Sequence, residues 1–187
     1  NALPNWYNIQ INNIYKNITN KELQIFKNKK NIYNLKLYYC EKISDVSALS
    51  NCYHLILNDC KNILNISTLG NCKKLSLYRL NILNISALSN CKNLDLIELN
   101  ISDISALGNC KKLALYRCNN ISDISVIKSC NNLTIESCRN IILDISILSN
   151  CKNLTLYRLN ISDVSALGSC KNLSLKYCNN ISDVSTL

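Results

Sequence analysis

The sequence predicts an α/β repeat: a solenoid of short stacked coils, with a parallel β-sheet on its concave face and short turns or 3-10 segments on its convex face. Three observations predict it. A cysteine column recurs at Cys52, Cys72, Cys91, Cys110, Cys130, Cys151 and Cys170, in steps of 20, 19, 19, 20, 21 and 19 residues, and Ile32 holds that column one step earlier. Within each unit two apolar residues stand two apart, as Leu113 and Leu115 do, which puts both on one face of a strand. Beyond the strand, apolar residues recur every third position (Ile121, Ile124, Ile127, Cys130), a spacing that suits tight turns or a 3-10 path better than a full α-helix.

Taken in order, residues 1–31 fit the pattern least well. Trp6, Ile9, Ile11 and Ile14 keep a strand-like spacing, and Leu23, Phe26 and Ile32 follow. This segment is expected to be a degenerate first repeat or a cap, and a cap is preferred because the terminal repeats of solenoids are atypical. Residues 32–187 make about eight repeats. One coil cannot bury its inner face alone, but stacked coils share a continuous core. The chain has no methionine and stops within a repeat at Val184, Ser185, Thr186 and Leu187, so it is expected to be a truncated piece of a longer protein.

This pattern resembles the leucine-rich-repeat consensus, with Cys in its first Leu position. The form with a second cysteine, running from Cys170 through Leu173 and Leu175 to Cys178 and Ile181, is similar to repeats attached to many F-box proteins. The segment that follows, Ile-Ser-Asp-Ile/Val-Ser-x-Leu, resembles the short internalin-like bacterial type. The resemblance covers Ile32 to Leu187 and implies a horseshoe that binds other macromolecules; it also allows an F-box upstream. A coupling within the sequence supports it. Where Leu80, Leu99 or Leu159 replaces the second cysteine, one following residue is also missing.

Composition narrows the function. A chain of 187 residues that is 48% hydrophobic can bury one continuous core, and its 3 Gly and 1 Pro argue against a turn-rich sandwich. A formal charge of +9 makes anionic partners worth weighing. No apolar run approaches the roughly 18 residues needed to span a bilayer. The start lacks a basic-then-apolar leader pattern.

Twelve cysteines invite disulfides or metal. Seven occupy the first column, and Cys40, Cys60, Cys118, Cys138 and Cys178 the second. Ile32 replaces the first kind and Leu80, Leu99 and Leu159 the second, so each is expected to act as a small buried hydrophobe with a free thiol. No CxxC is present and the single histidine, His54, is isolated, so no metal and no cofactor are expected. Free thiols point to a reducing, cytoplasmic compartment. The glycosylation sequons at Asn132, Asn153 and Asn172 point the same way, because they sit on expected strands.

A column of Asp or Asn precedes Ser by two residues in every repeat, from Asp45 and Ser47 to Asp183 and Ser185. It could suggest an acidic site with nucleophiles, but short polar side chains at tight turns more simply satisfy backbone N–H groups. No general base accompanies it. With no phosphate loop, metal cluster or nucleophile–base pair, the chain is not expected to be an enzyme and no catalytic residue is assigned.

The expected working surface is the concave face. Its candidate partner-binding residues flank the second apolar position of each strand: Tyr38, Tyr39, Asp59, Tyr78, Arg79, Glu98, Tyr116, Arg117, Glu136, Tyr157, Arg158, Lys176 and Tyr177. Tyr and Arg are enriched at binding hot spots. The rungs alternate, which also suggests mutual pairing, with Arg79 between Asp59 and Glu98 and Arg117 between Glu98 and Glu136. A monomer that captures a protein partner is the leading expectation. Nucleic-acid binding is second: Lys73, Lys74, Lys111, Lys112, Lys152 and Lys171 make a basic rim, yet Asp95, Glu98 and Glu136 interrupt any phosphate track. A purely structural solenoid is the third.

Overall fold

The computed structural model describes residues 7–11, 17–27, 32–141 and 144–187. Among them are nine strands: β1 (Tyr7–Ile11), β2 (Ile32–Tyr38), β3 (Cys52–Asn58), β4 (Lys74–Tyr78), β5 (Asn93–Ile97), β6 (Lys112–Tyr116), β7 (Asn132–Glu136), β8 (Asn153–Tyr157) and β9 (Asn172–Lys176). They form one sheet in strict chain order, every neighbour parallel. The register follows the repeat. Leu55 pairs with Leu75, Leu75 with Leu94 and Leu94 with Leu113, so like residues stack from coil to coil.

The convex side is built from 3-10 turns, as the three-residue spacing requires. They span Ser47–Leu49, Ser67–Asn71, Ser86–Asn90, Ser105–Asn109, Ser125–Ile127, Ile145–Leu148 and Ser165–Leu167. The Asp/Asn column starts each of them. The backbone N–H of Ser47 donates to Asp45 at 2.8 Å, that of Ser67 to Asn65 at 2.9 Å and that of Ser86 to Asn84 at 2.7 Å. The same bond recurs from Ser105 to Asp103, Ser125 to Asp123, Ser165 to Asp163 and Ser185 to Asp183, each at 2.8 Å. These N–H donors hold the aspartates below the usual carboxylate range. The column is turn chemistry repeated once per coil.

Between the sheet and the turns lies one continuous core. Each coil contributes the two strand residues, one residue from each cysteine column and the apolar positions of the turn, as Leu75, Leu77, Leu80, Ile82, Ile85, Leu88 and Cys91 do. Each fully buried Leu or Ile removes enough apolar surface to contribute up to about 1.5–3 kcal/mol. Stacking is close enough at one turn to require glycine: a Cβ on Gly70 would run into the carbonyl oxygen of Ala87 in the next coil.

The N-terminal segment joins the same architecture. Ile9 and Ile11 of β1 lie in register with Leu35 and Leu37 of β2. A single helical turn, α1 (Asn20–Leu23), then runs into a 3-10 turn and buries Leu23 and Phe26 against the first coils. Thr19 and Glu22 close a capping box at its start. Trp6 and Ile14 fall outside the described residues.

Ten of the twelve cysteines are buried, and Cys170 and Cys178 are partly so. Burial pushes four of these thiols well up, Cys72 and Cys110 to about 12 and Cys91 and Cys151 to about 11. They are more than space-filling. Cys118 Sγ donates to the Leu96 carbonyl of the preceding coil at 3.4 Å, and Cys60, Cys138 and Cys178 reach Leu37, Leu115 and Leu156 at 3.7 Å.

The coupling between cysteine and an extra residue also has a geometric basis. The Ile63 N–H bonds back to the Cys60 carbonyl at 3.1 Å, and the pairs Ile43–Cys40, Ile121–Cys118 and Ile181–Cys178 repeat this four-residue turn. Leucine coils go from Leu80 to Ile82 through Asn81 alone, with both apolar ends buried.

Candidate binding surface

Side chains alternate across a strand, so the residues between the core leucines must face outward. They make three columns on the concave face. The entrance column runs through His54, Lys74, Asn93, Lys112, Asn132, Asn153 and Asn172, and the middle one through Ile56, Ser76, Asp95, Ala114, Thr134, Thr155 and Ser174. The third carries Tyr38, Asn58, Tyr78, Ile97, Tyr116, Glu136, Tyr157 and Lys176.

The second member of each expected binding pair takes a different position. Tyr39, Asp59, Arg79, Glu98, Arg117, Ser137, Arg158 and Tyr177 all have φ between 49 and 55°. None is glycine, and this left-handed conformation costs about 1–2 kcal/mol per residue. The stack over-determines it. From Tyr39 to Arg158 the N–H of each donates to the last strand carbonyl of the next coil, as Arg79 does to Ile97 at 3.0 Å and Glu98 to Tyr116 at 2.8 Å. These residues form a rim along the C-terminal ends of the strands, beside the concave face.

Along the rim the charges meet. Arg79 Nη1 lies 3.2 Å from Asp59 and its Nε 2.7 Å from Glu98, whose other oxygen is 2.8 Å from Arg117. Lys61 adds a looser contact to Asp59 at 3.8 Å. The Arg79 hydrogen bond, more than any other influence, holds Glu98 below the usual carboxylate range. The pairing of Arg79 with both neighbours matches the sequence expectation; that of Arg117 with Glu136 does not occur. Glu136 stands in the third strand column, in register with Tyr116 and Tyr157, while Arg117 belongs to the rim.

Two hollows open on this surface. The larger, about 660 Å³, lies over Ala114, Thr134, Thr155 and Ser174, with Asp95, Lys112 and Tyr116 at one end and Asn172 and Lys171 at the other. Small middle-column residues create it. Its floor carries an asparagine ladder, Asn153 donating to Asn132 at 2.6 Å and Asn172 to Asn153 at 2.5 Å. The smaller, about 360 Å³, sits among Tyr78, Asp95, Ile97, Glu98, Tyr116, Arg117 and Glu136. Tyr116 borders both. Burial, then Asp95, raises Tyr78 and Tyr116 above the ordinary phenol range, and Ser76 donates to Asp95 at 2.7 Å.

Of the candidate residues, Tyr78, Glu98, Tyr116, Arg117 and Glu136 are brought together around the smaller hollow. Tyr157, Arg158 and Tyr177 form a second group: the two rings meet edge to face at 5.0 Å, and the guanidinium lies 5.2 and 5.6 Å from their centres. Tyr38 and Tyr39 stand apart from both hollows. The sequence reading missed the asparagine ladder, although the recurring Asn before the first strand Leu was a visible signal. Among the described residues no group of His, Cys, Asp or Glu is placed to hold a metal ion, and no helix is long and apolar enough to cross a membrane.

No protein-family model and no curated protein sequence matches the chain. Solved structures do. An internalin from Listeria monocytogenes, InlF, shares 27% identity over 88% of this chain with a TM-score of 0.68; the chain spans about half of its length, 52%. Internalin C2 from the same organism shares 23% identity over 82% of this chain and 74% of its own, with a TM-score of 0.60. The recurring cysteine–leucine unit, the parallel sheet in strict chain order and its 3-10 convex side, together with these likenesses, make the chain a leucine-rich-repeat protein of the short, cysteine-containing type.

Proposed function

We propose that the chain is a non-enzymatic binding module that holds a protein partner, as a monomer, against the concave face around Tyr78 and Tyr116. One observation carries this reading. The small middle-column residues leave a trough bordered by half-buried tyrosines, so a partner gains apolar contact and hydrogen bonding without the chain having to rearrange. Rigid aromatics on a stacked scaffold lose little entropy on binding. The mixed charge of the rim, where Asp59 and Glu98 alternate with Arg79 and Arg117, suits a protein surface better than a polyanion. Buried thiols suit a reducing compartment such as the cytoplasm.

Replacing Tyr78, Arg79, Tyr116 and Arg117 together by alanine tests it. Capture of a partner on the immobilised chain should be lost while circular dichroism shows the sheet intact, and unchanged capture overturns the concave-face reading. The basic rim of lysines favours nucleic acid as the second reading. That reading requires affinity to fall steeply as salt rises, and a flat response removes it.

A further inference from the structure

The rim alternates in charge as far as Arg117 and then stops alternating. Asp59, Arg79, Glu98 and Arg117 form a chain of ion pairs in which each cation meets a carboxylate. The next rim position, where the alternation calls for an acid, is Ser137, and Arg158 follows. Arg139, in the turn just beyond Ser137, adds another cation to the same place. Its backbone N–H donates to Asn119 Oδ1 at 3.1 Å, which fixes the turn against the preceding coil. Among the described residues neither Arg139 nor Arg158 has a carboxylate within ion-pair distance.

These residues enclose a pocket. Arg117, Asn119, Ser137, Arg139 and Arg158 surround a hollow of about 290 Å³ that shares only Arg117 with the smaller concave hollow. Arg158 is braced by the Tyr157 and Tyr177 rings, so one wall is held in place before any ligand arrives. Three guanidiniums converge with one hydroxyl and one amide, and Glu98 offsets only the first of them. A single carboxylate would leave positive charge over. A group with several oxygens and more than one negative charge matches planar guanidinium forks, which hold phosphate-type anions in bidentate fashion.

We propose that the pocket between Arg117, Arg139 and Arg158 is a binding site for a tetrahedral oxyanion, a phosphate or sulfate group. Arg139 and Arg158 supply the two uncompensated forks, Arg117 shares its charge between Glu98 and the ligand, and the Ser137 hydroxyl donates from the floor. The site shares Arg117 with the smaller concave hollow, but Ser137, Arg139 and Arg158 line neither concave hollow, so its two uncompensated cations do not depend on what those hollows bind.

The test is calorimetric titration of the full chain at constant ionic strength with inorganic phosphate, inorganic sulfate, acetate, a phosphoserine peptide and the same peptide unphosphorylated. Saturable binding of phosphate or sulfate, with acetate and the unphosphorylated peptide silent, is expected. Arg139→Gln with Arg158→Gln should weaken it by about tenfold or more. Ser137→Asp is the second variant: it removes no arginine, restores the alternation with a residue type that Asp59 shows the rim accepts, and should abolish binding. Thermal melts of each variant confirm folding. A phosphopeptide that binds tighter than phosphate assigns the group to a partner, and equal affinity assigns a free anion; both support the site. Absence of saturable phosphate and sulfate binding, or unchanged binding by folded Ser137→Asp, overturns it.

Discussion

The two halves of the rim share one backbone and differ in how their charges are settled. From Asp59 to Arg117 each side chain meets an opposite charge in a neighbouring coil, and Glu98 serves two arginines at once. The rim positions Ser137, Arg158 and Tyr177 include no acid: Arg158 rests on aromatic rings, and Arg139 faces a cavity. Since every rim residue adopts the same left-handed conformation, and from Tyr39 to Arg158 each N–H joins the same ladder, the backbone does not cause the difference. It comes from one residue, serine where the pattern would place a carboxylate. The first half therefore spends its charge on holding coils together, and the second keeps charge available for something outside the chain.

Glu98 is where that contrast breaks most visibly. Glu98→Ala leaves Arg79 with one partner and Arg117 with none, and should cost about 1 kcal/mol, discounted for partial exposure. That is ~2–4 °C in a thermal melt of a chain this size. Glu136→Ala, two coils along and without an arginine partner, should stay within about 0.5 kcal/mol of the parent. Equal effects at the two glutamates would dissolve the distinction between the halves.

Ser137→Asp makes the second half resemble the first. A carboxylate between Arg117 and Arg158 should raise stability by roughly 0.5 kcal/mol, a gain of about 1–2 °C measured by calorimetry. A loss of stability would mean that the arginines around Ser137 do not reach the rim position, and that the pocket is geometric but not electrostatic.

Acid should erase both differences, and the sign is fixed by Glu98. Its folded-state pKa is lowered, chiefly by the hydrogen bond from Arg79, so its contribution is complete above the ordinary Glu value and is lost as pH falls through the folded one. Parent and Glu98→Gln should therefore differ at pH 7 and converge as the pH falls through the lowered folded-state pKa, in melts run across the series. The turn aspartates, lowered by serine N–H donors, lose their contribution as the pH falls through their own lowered values, equally in both proteins. The comparison has to be a difference between variants, since the parent alone will also soften in acid.

The fold was legible because it is written many times over. Cys72, Leu75, Leu77, Ile82, Ile85 and Leu88 repeat in every coil, and a periodic apolar pattern admits few shapes. The turn role of Asp103 and Ser105 was legible for the same reason. The left-handed rim was not. Tyr39, Asp59, Arg79 and Ser137 have no residue type in common, and none is the glycine that would have signalled φ near 50°. The conformation goes with the position in the coil and not with the side chain, so it shows only in the folded backbone. The thiol bonds were hidden because Cys118 exchanges with Leu99 in neighbouring repeats, which reads as hydrophobicity alone. Arg139 was missed for a third reason. It lies past the strand, in a turn, where a reading by strand pairs has no place for it.

Salt gives the smallest effect and the most local one. Raising ionic strength from about 0.1 to 1 M shortens the screening length from ~10 to ~3 Å, which weakens exposed ion pairs and leaves ring stacking nearly untouched. Hydrogen exchange can read this residue by residue, because each rim N–H reports on its own coil. The amides of Arg79 and Glu98, bonded to Ile97 and Tyr116, should exchange slightly faster in high salt. Those of Ser137 and Arg158, bonded to Tyr157 and Lys176, should not. A uniform change along the rim would mean that the ion pairs are decoration on a stack already held by its leucines. A change confined to the first half would show that one missing carboxylate divides the surface into a part that braces the solenoid and a part left open to a ligand.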